Sequence, residues 1–192
     1  MEARCAVFLD KDGTLIPDIP YNVEPDLITL NNGVIEGLLA LQAHFNLFVV
    51  SNQSGVAKGV FGMEALEKVK SRLITLLVNS GINIADFYFC PHDPTGIVKL
   101  YSVECQCRKP RAGMLLKAAR DYNLDLSRCW MIGDILNDVE AGKTAGCRSV
   151  LIDNGNETKW MIEGNMLRIP DFIAKDFLEA TAFINQNKDC YV

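Results

Sequence analysis

Cys5-Ala6-Val7-Phe8-Leu9-Asp10-Lys11-Asp12-Gly13-Thr14-Leu15 is the stretch that decides the fold. Its first five residues are a short apolar run, as in a strand buried on both faces. The run ends abruptly in Asp10-Lys11-Asp12-Gly13. The same pattern recurs downstream. Residues 47–50 are apolar and stop at Ser51-Asn52-Gln53-Ser54-Gly55. Residues 86–89 lead into a cysteine-rich segment, residues 129–132 stop at Gly133-Asp134, and residues 149–152 make a fifth run. Between these runs, helical spacing covers residues 33–44, 63–79, 113–122 and 136–145, and residues 174–187 form a closing helix. Residues 154–170 read as loop. Short apolar strands alternating with helices predict a doubly wound α/β fold, a parallel sheet with helices on both faces. No linker or repeat divides the chain, so residues 1–192 are expected to form a single domain with a metal-binding loop at 90–110.

Composition narrows the function. The chain has 192 residues, 49% of them apolar, and a net charge of -5. That charge argues against binding nucleic acid through its phosphates. No apolar run reaches membrane-spanning length, and Met1-Glu2-Ala3-Arg4 opens without the apolar stretch of a signal peptide. The expectation is a cytoplasmic monomer with no nucleic-acid or membrane partner. Seven cysteines are an odd number, and three of them lie close to His92, one of two histidines. In a reducing compartment that clustering favours a metal over disulfides. Cys5, Cys129 and Cys147 read as small core residues.

In an open parallel sheet, ligands bind beyond the carboxyl ends of the strands. Asp10-Lys11-Asp12-Gly13-Thr14, Ser51-Asn52-Gln53-Ser54 and Gly133-Asp134-Ile135-Leu136-Asn137-Asp138 each follow an apolar run. Parallel, adjacent strands would gather them on one edge. Asp10, Asp12 and Asp134 would then repel one another unless a hard cation such as Mg2+ lay between them. A carboxylate can attack phosphorus, and a second one two residues on can protonate the leaving oxygen. Ser51 and Asn52 can donate hydrogen bonds to phosphoryl oxygens, and Lys109 can add a positive charge. Each motif taken singly has a plainer reading: a turn, a helix cap or a solvated lysine. Their joint order favours the chemical one.

These motifs resemble the haloacid dehalogenase (HAD) superfamily. Asp10-Lys11-Asp12-Gly13-Thr14-Leu15 matches its first motif, Ser51 its second, Lys109 its third and Asp134 its fourth. The resemblance implies Asp10 as nucleophile and Asp12 as general acid and base. It implies Mg2+ held by Asp10, the backbone carbonyl of Asp12, and Asp134.

Cys90-x-His92 and Cys105-x-Cys107 supply three thiolates and one imidazole, a donor set suited to a closed structural Zn2+ site. Reduced free cysteines or a redox switch are the competing readings. Such a metal would fix Arg108 and Lys109, which follow the last ligand directly. The segment resembles the D-glycero-D-manno-heptose 1,7-bisphosphate phosphatases and their relatives, the histidinol-phosphate phosphatases. The long interval between His92 and Cys105 is more like the heptose enzymes. So are Ser51 to Gly59 and the stretch from Asp18 to Tyr21. Asp18, Tyr21, Asn52, Gln53, Ser54 and Arg108 are thereby implied as substrate contacts. Ile135 stands where the family often has lysine, Ile19 where it often has histidine, and Pro20 where glycine is common.

The resemblance implies release of the 7-phosphate of a heptose bisphosphate, a small-molecule sugar phosphate used in lipopolysaccharide or related glycan precursors. Histidinol phosphate is the alternative substrate. A zinc-stabilised binding module without turnover is the alternative of another class.

Overall fold

The structure, a computed structural model, describes residues 4–160 and 164–188. Six strands form one parallel sheet: β1 (Ala6–Leu9), β2 (Asn46–Asn52), β3 (Asp86–Cys90), β4 (Trp130–Gly133), β5 (Arg148–Ile152) and β6 (Phe172–Ala174). Their order across the sheet is β3-β2-β1-β4-β5-β6. Five α-helices connect or flank them: α1 (Val34–Gln42), α2 (Met63–Asn79), α3 (Gly113–Tyr122), α4 (Leu136–Ala145) and α5 (Phe177–Gln186).

Alternation along each strand builds two cores. Val7 and Leu9 of β1, with Leu47 and Val49 of β2, face α1, α2 and α5. Ala6 and Phe8, with Phe48 and Val50, face α3 and α4. Successive side chains point to opposite faces, so a strand covered on both sides must be apolar throughout. That is why β1 reads as an unbroken Ala-Val-Phe-Leu, fully buried. Helix α2 buries Leu66, Val69, Leu73 and Leu77 as a single stripe, the spacing of an amphipathic helix.

The expected doubly wound architecture is present, and most boundaries shift by no more than a few residues. Strand β6, however, lies in a stretch to which the sequence assigned no strand. Its three residues pair with β5 through Val150↔Phe172 and Ile152↔Ala174. Cys129 and Cys147 are buried free thiols, as expected of core residues. Cys5 is buried too, but it is disulfide-bonded and not a free thiol. Among the described residues no helix is long and apolar enough to cross a membrane. Nor do they contain a large cap insertion, so loops above the strand ends frame the mouth.

The register sets the site. Leu9 pairs with Val49 on one side and Ile132 on the other. Asp10, Ser51 and Asp134 therefore lie one or two residues beyond the same level of the sheet. The Asp10 amide donates to the Ile132 carbonyl at 2.9 Å, which holds the acid against β4.

Candidate active site

The buried centre is a lysine among carboxylates. Lys109 comes from the loop between β3 and α3. Its ammonium donates to Asp10 Oδ1, lies 2.7 Å from Asp138 Oδ1, and donates to the Val50 carbonyl at 2.9 Å. One oxygen each from Asp10, Asp134 and Asp138 lies within 4.8 Å of the others. Lys109, Asp10, Asp134 and Asp138 are all buried.

Burial pushes the Asp10 carboxyl well above the usual carboxylate range; Lys109 pulls it down, and Asp138, Asp134 and Asp12 push it up again. Burial and Asp138 push Asp134 up to about 6, against hydrogen bonding from Asn156 and the charge of Lys109. Burial also works against the Lys109 ammonium, yet its ion pairs with Asp10 and Asp138 outweigh that penalty and raise its pKa. Three carboxylates facing one ammonium would, once all ionised, carry an excess of negative charge. A divalent cation with oxygen ligands fits that excess and that donor set.

Glycine is required where the first motif turns past this cluster. Gly13 has φ of +85°, and a Cβ there would lie 2.0 Å from Asp134 Oδ2. Asp12 is more exposed than Asp10 and faces the mouth. Its carboxylate pairs with Lys11 and accepts from Gln53 Nε2 at 2.9 Å. Gln53 also donates to Ser51 Oγ at 2.8 Å, tying the second motif to the first.

Asn52, expected at the phosphate, has its side-chain amide on Lys109 instead. Asn52 Nδ2 donates to the Lys109 carbonyl at 3.0 Å, and the Lys109 amide donates to Asn52 Oδ1 at 2.9 Å. This two-point clamp sets the backbone from which the ammonium reaches Asp10.

Asp18, Tyr21, Asn52, Gln53 and Ser54 line a single cavity of about 280 Å³ together with Asp12. Arg108 is not on that wall and opens on a neighbouring cavity of about 310 Å³. Asp93 links the two regions. It lies 3.6 Å from the Arg108 guanidinium and 3.7 Å from the Lys58 ammonium, and Lys58 donates to Tyr21 Oη at 3.1 Å. Two cations are thus held at the rim.

The four thiol and imidazole donors converge as the sequence predicts. Cys107 Sγ is 3.0 Å from Cys90 Sγ and 3.3 Å from Cys105 Sγ, and His92 Nδ1 lies 3.3 Å from Cys107 and 3.7 Å from Cys90. A tetrahedral zinc site with Zn–S of about 2.3 Å places its sulfurs about 3.8 Å apart. The donor set fits Zn2+ with all four positions filled by protein; Cys90 Sγ and Cys105 Sγ, 3.6 Å apart, stand near that spacing, and the two sulfur contacts of Cys107 are shorter than it. Arg108 and Lys109 follow immediately, so the loop that would carry zinc also presents the lysine.

Several site residues had been given no role from sequence. Asp138 stands in the same stretch as the fourth motif, in the first turn of α4, where its Oδ2 accepts from the Ile135 amide at 3.3 Å. Lys58 and Asp93 lie within stretches already singled out. Asn154, Asn156 and Glu157 follow β5 in a loop without any motif. Only the pairing of β5 with β4 brings them to the first and fourth motifs.

A HAD-hydrolase-like family model matches residues 106–180. The chain is 39% identical over 141 residues to the D-glycero-β-D-manno-heptose-1,7-bisphosphate 7-phosphatase of Photorhabdus laumondii, covering 73% of this chain and 75% of that one. It is 35% identical over 181 residues to the Escherichia coli enzyme of the same name, covering 88% and 94%. The structure of D,D-heptose 1,7-bisphosphate phosphatase from B. bronchiseptica, complexed with magnesium and phosphate, superposes with a TM-score of 0.80 at 28% identity. That likeness spans 96% of this chain and 99% of that one. With this fold, this buried cluster and these relatives, the chain belongs to the D-glycero-D-manno-heptose 1,7-bisphosphate phosphatase family of HAD hydrolases, and it is a phosphoric monoester hydrolase.

Proposed function

We propose that the protein is a Mg2+-dependent phosphatase that removes the 7-phosphate of D-glycero-D-manno-heptose 1,7-bisphosphate through an aspartyl-phosphate on Asp10. The observation that carries this reading is the buried cluster in which Lys109 bridges Asp10 and Asp138 beside Asp134. The names of its relatives, and the magnesium and phosphate in the B. bronchiseptica enzyme, support it.

Asp10, the backbone carbonyl of Asp12, and Asp134 would hold Mg2+. When bound, the ion offsets negative charge on the phosphoryl group and its carboxylate neighbours. The Asp10 carboxylate attacks phosphorus in line, and the bond to the sugar C7 oxygen breaks. Asp12, oriented by Gln53, gives that oxygen a proton. Asp12 then takes a proton from a water that attacks the aspartyl phosphorus, which restores Asp10 and releases phosphate. The Ser51 hydroxyl donates to the phosphoryl oxygens, and the Lys109 ammonium, its three hydrogens on Asp10, Asp138 and Val50, supports them through its charge.

The sugar occupies the cavity walled by Asp18, Tyr21, Gln53 and Ser54. Lys58 and Arg108, both held by Asp93 at the rim, meet the second phosphate. A substrate with phosphates at both ends matches a buried reacting centre and a cationic rim. Cys90, His92, Cys105 and Cys107 would hold Zn2+, which would stabilise the loop that delivers Arg108 and Lys109.

Phosphate release from heptose 1,7-bisphosphate and from histidinol phosphate, with and without Mg2+, tests this reading. The expected result is Mg2+-dependent release with the higher kcat/KM on the heptose substrate. Asp10→Asn should lose turnover, and acid-quenched wild type should carry phosphate on residue 10. A preference for histidinol phosphate would overturn the substrate. An active Asp10→Asn variant would overturn the chemistry.

A further inference from the structure

The loop after β5 reaches back to the metal-binding carboxylates. Asn156 Nδ2 donates to Asp134 Oδ2 at 2.6 Å. Asn154 Nδ2 donates to the Gly13 carbonyl at 2.8 Å, and Asn154 Oδ1 accepts from the Asn156 amide at 3.1 Å. Glu157 Oε2 accepts from the Leu136 amide, in the first turn of α4, at 2.7 Å. Three consecutive polar side chains, interrupted only by Gly155, thus fasten the first-motif turn, the Asp134 carboxylate and the start of the helix that carries Asp138.

We propose that Asn156 is a positioning residue for the divalent cation: it holds Asp134 in the orientation that binds the ion, and the 154–157 loop is a clasp that keeps Asn156 in place. The contact takes up Oδ2 of Asp134. Oδ1 accepts from Thr14 Oγ1 at a longer 3.3 Å and is the oxygen more open to a metal ion. A carboxylate rotates about its terminal bond with little resistance, so its orientation has to be fixed by partners. Gly13 shares in the same packing, since a Cβ there would lie 2.6 Å from Asn156 Nδ2 as well as against Asp134. Groups that orient a metal ligand through a hydrogen bond typically change metal affinity by about 10–100-fold when removed.

The inference rests on the reading of Asp10 and Asp134 as the Mg2+ site, and the experiment separates the two. Free Mn2+ is measured by electron paramagnetic resonance during titration of zinc-loaded protein, with Mg2+ as competitor. Wild type should bind one Mn2+ that Mg2+ displaces, and Asp134→Ala should not bind it. Asn156→Ala should weaken binding about 10-fold or more, and Asn156→Ser, which keeps a shorter donor, should fall between. Zinc content and thermal unfolding report whether each variant is folded. If the alanine variant is unfolded, the serine variant decides by the same titration. Wild-type Mn2+ affinity in a folded Asn156 variant would overturn the clasp while leaving the site intact. A wild type that binds no Mn2+ would overturn both.

Discussion

Replacing Asp134 by asparagine should stabilise the metal-free protein while abolishing its Mg2+-dependent activity. Burial and Asp138 push the Asp134 pKa up from 3.8 to about 6. In the folded chain the carboxyl keeps its proton up to about pH 6; in the unfolded chain it loses it near 3.8. Folding therefore takes up a proton between those values, and stability falls as pH rises through that window. Two pKa units correspond to about 3 kcal/mol, fully expressed above the folded pKa. The asparagine would keep the shape of the side chain and an oxygen to accept from Asn156, without the charge. At pH 8, in buffer free of Mg2+ and with zinc retained, Asp134→Asn should gain about 2–3 kcal/mol in urea unfolding. For a chain of this length that corresponds to ~4–12 °C in Tm. At pH 4 the gain should nearly vanish, because wild-type Asp134 is then protonated when folded. Saturating Mg2+ should raise the Tm of wild type and leave the variant unmoved. An asparagine variant less stable than wild type at pH 8, or a gain that does not change with pH, would refute the argument.

Lys109→Met should leave Asp10 and Asp138 as buried carboxylates without their counter-ion. Removing one partner of such a pair costs about 3–5 kcal/mol, to be read in urea unfolding at pH 8, and activity should be lost with it. Gly13→Ala should reduce phosphate release sharply, because the new methyl would push Asp134 aside; the check is the Mg2+ concentration for half-maximal rate, which should rise. Cys107→Ser should lower zinc content below one equivalent, measured by metal analysis, together with a fall in Tm.

Those elements whose signals are local were legible in the sequence. Helix α2 announces itself by Leu66, Val69, Leu73 and Leu77, and β1 by four apolar residues that end in an acid. Strand β6 was not legible. It has three residues, sits at the sheet edge, and leaves Ile173 exposed, so neither length nor alternation marks it. In the site, residue types that repel without a cation pointed to Asp10, Asp12 and Asp134 before any geometry was known. The convergence of Cys90, His92, Cys105 and Cys107 was readable for a similar reason, since the donor set itself is restrictive. Asn52 was legible as a donor but not in its destination, because nothing in Ser51-Asn52-Gln53 says that the Lys109 backbone passes alongside. Asn156 carried no signal at all. Its contact depends on where a loop falls after β5 has docked, which is a property of the sheet and not of any short segment.

The strand order has a bearing on how the molecule is made. Strand β1 is synthesised first, yet it occupies a central position, and one of its two neighbours is β4, more than a hundred residues later. A nascent chain that has emerged only through α3 holds Asp10, Lys109 and half of the sheet, but the other flank of β1 is bare. That apolar edge must remain uncommitted until Trp130–Gly133 arrives, a long-range closure that slows folding and exposes a sticky surface meanwhile. Asp10 at the end of β1 and Asp134 and Asp138 beyond β4 thus come together only at a late docking event, and no partial product of translation that stops short of β4 can have the activity of the whole.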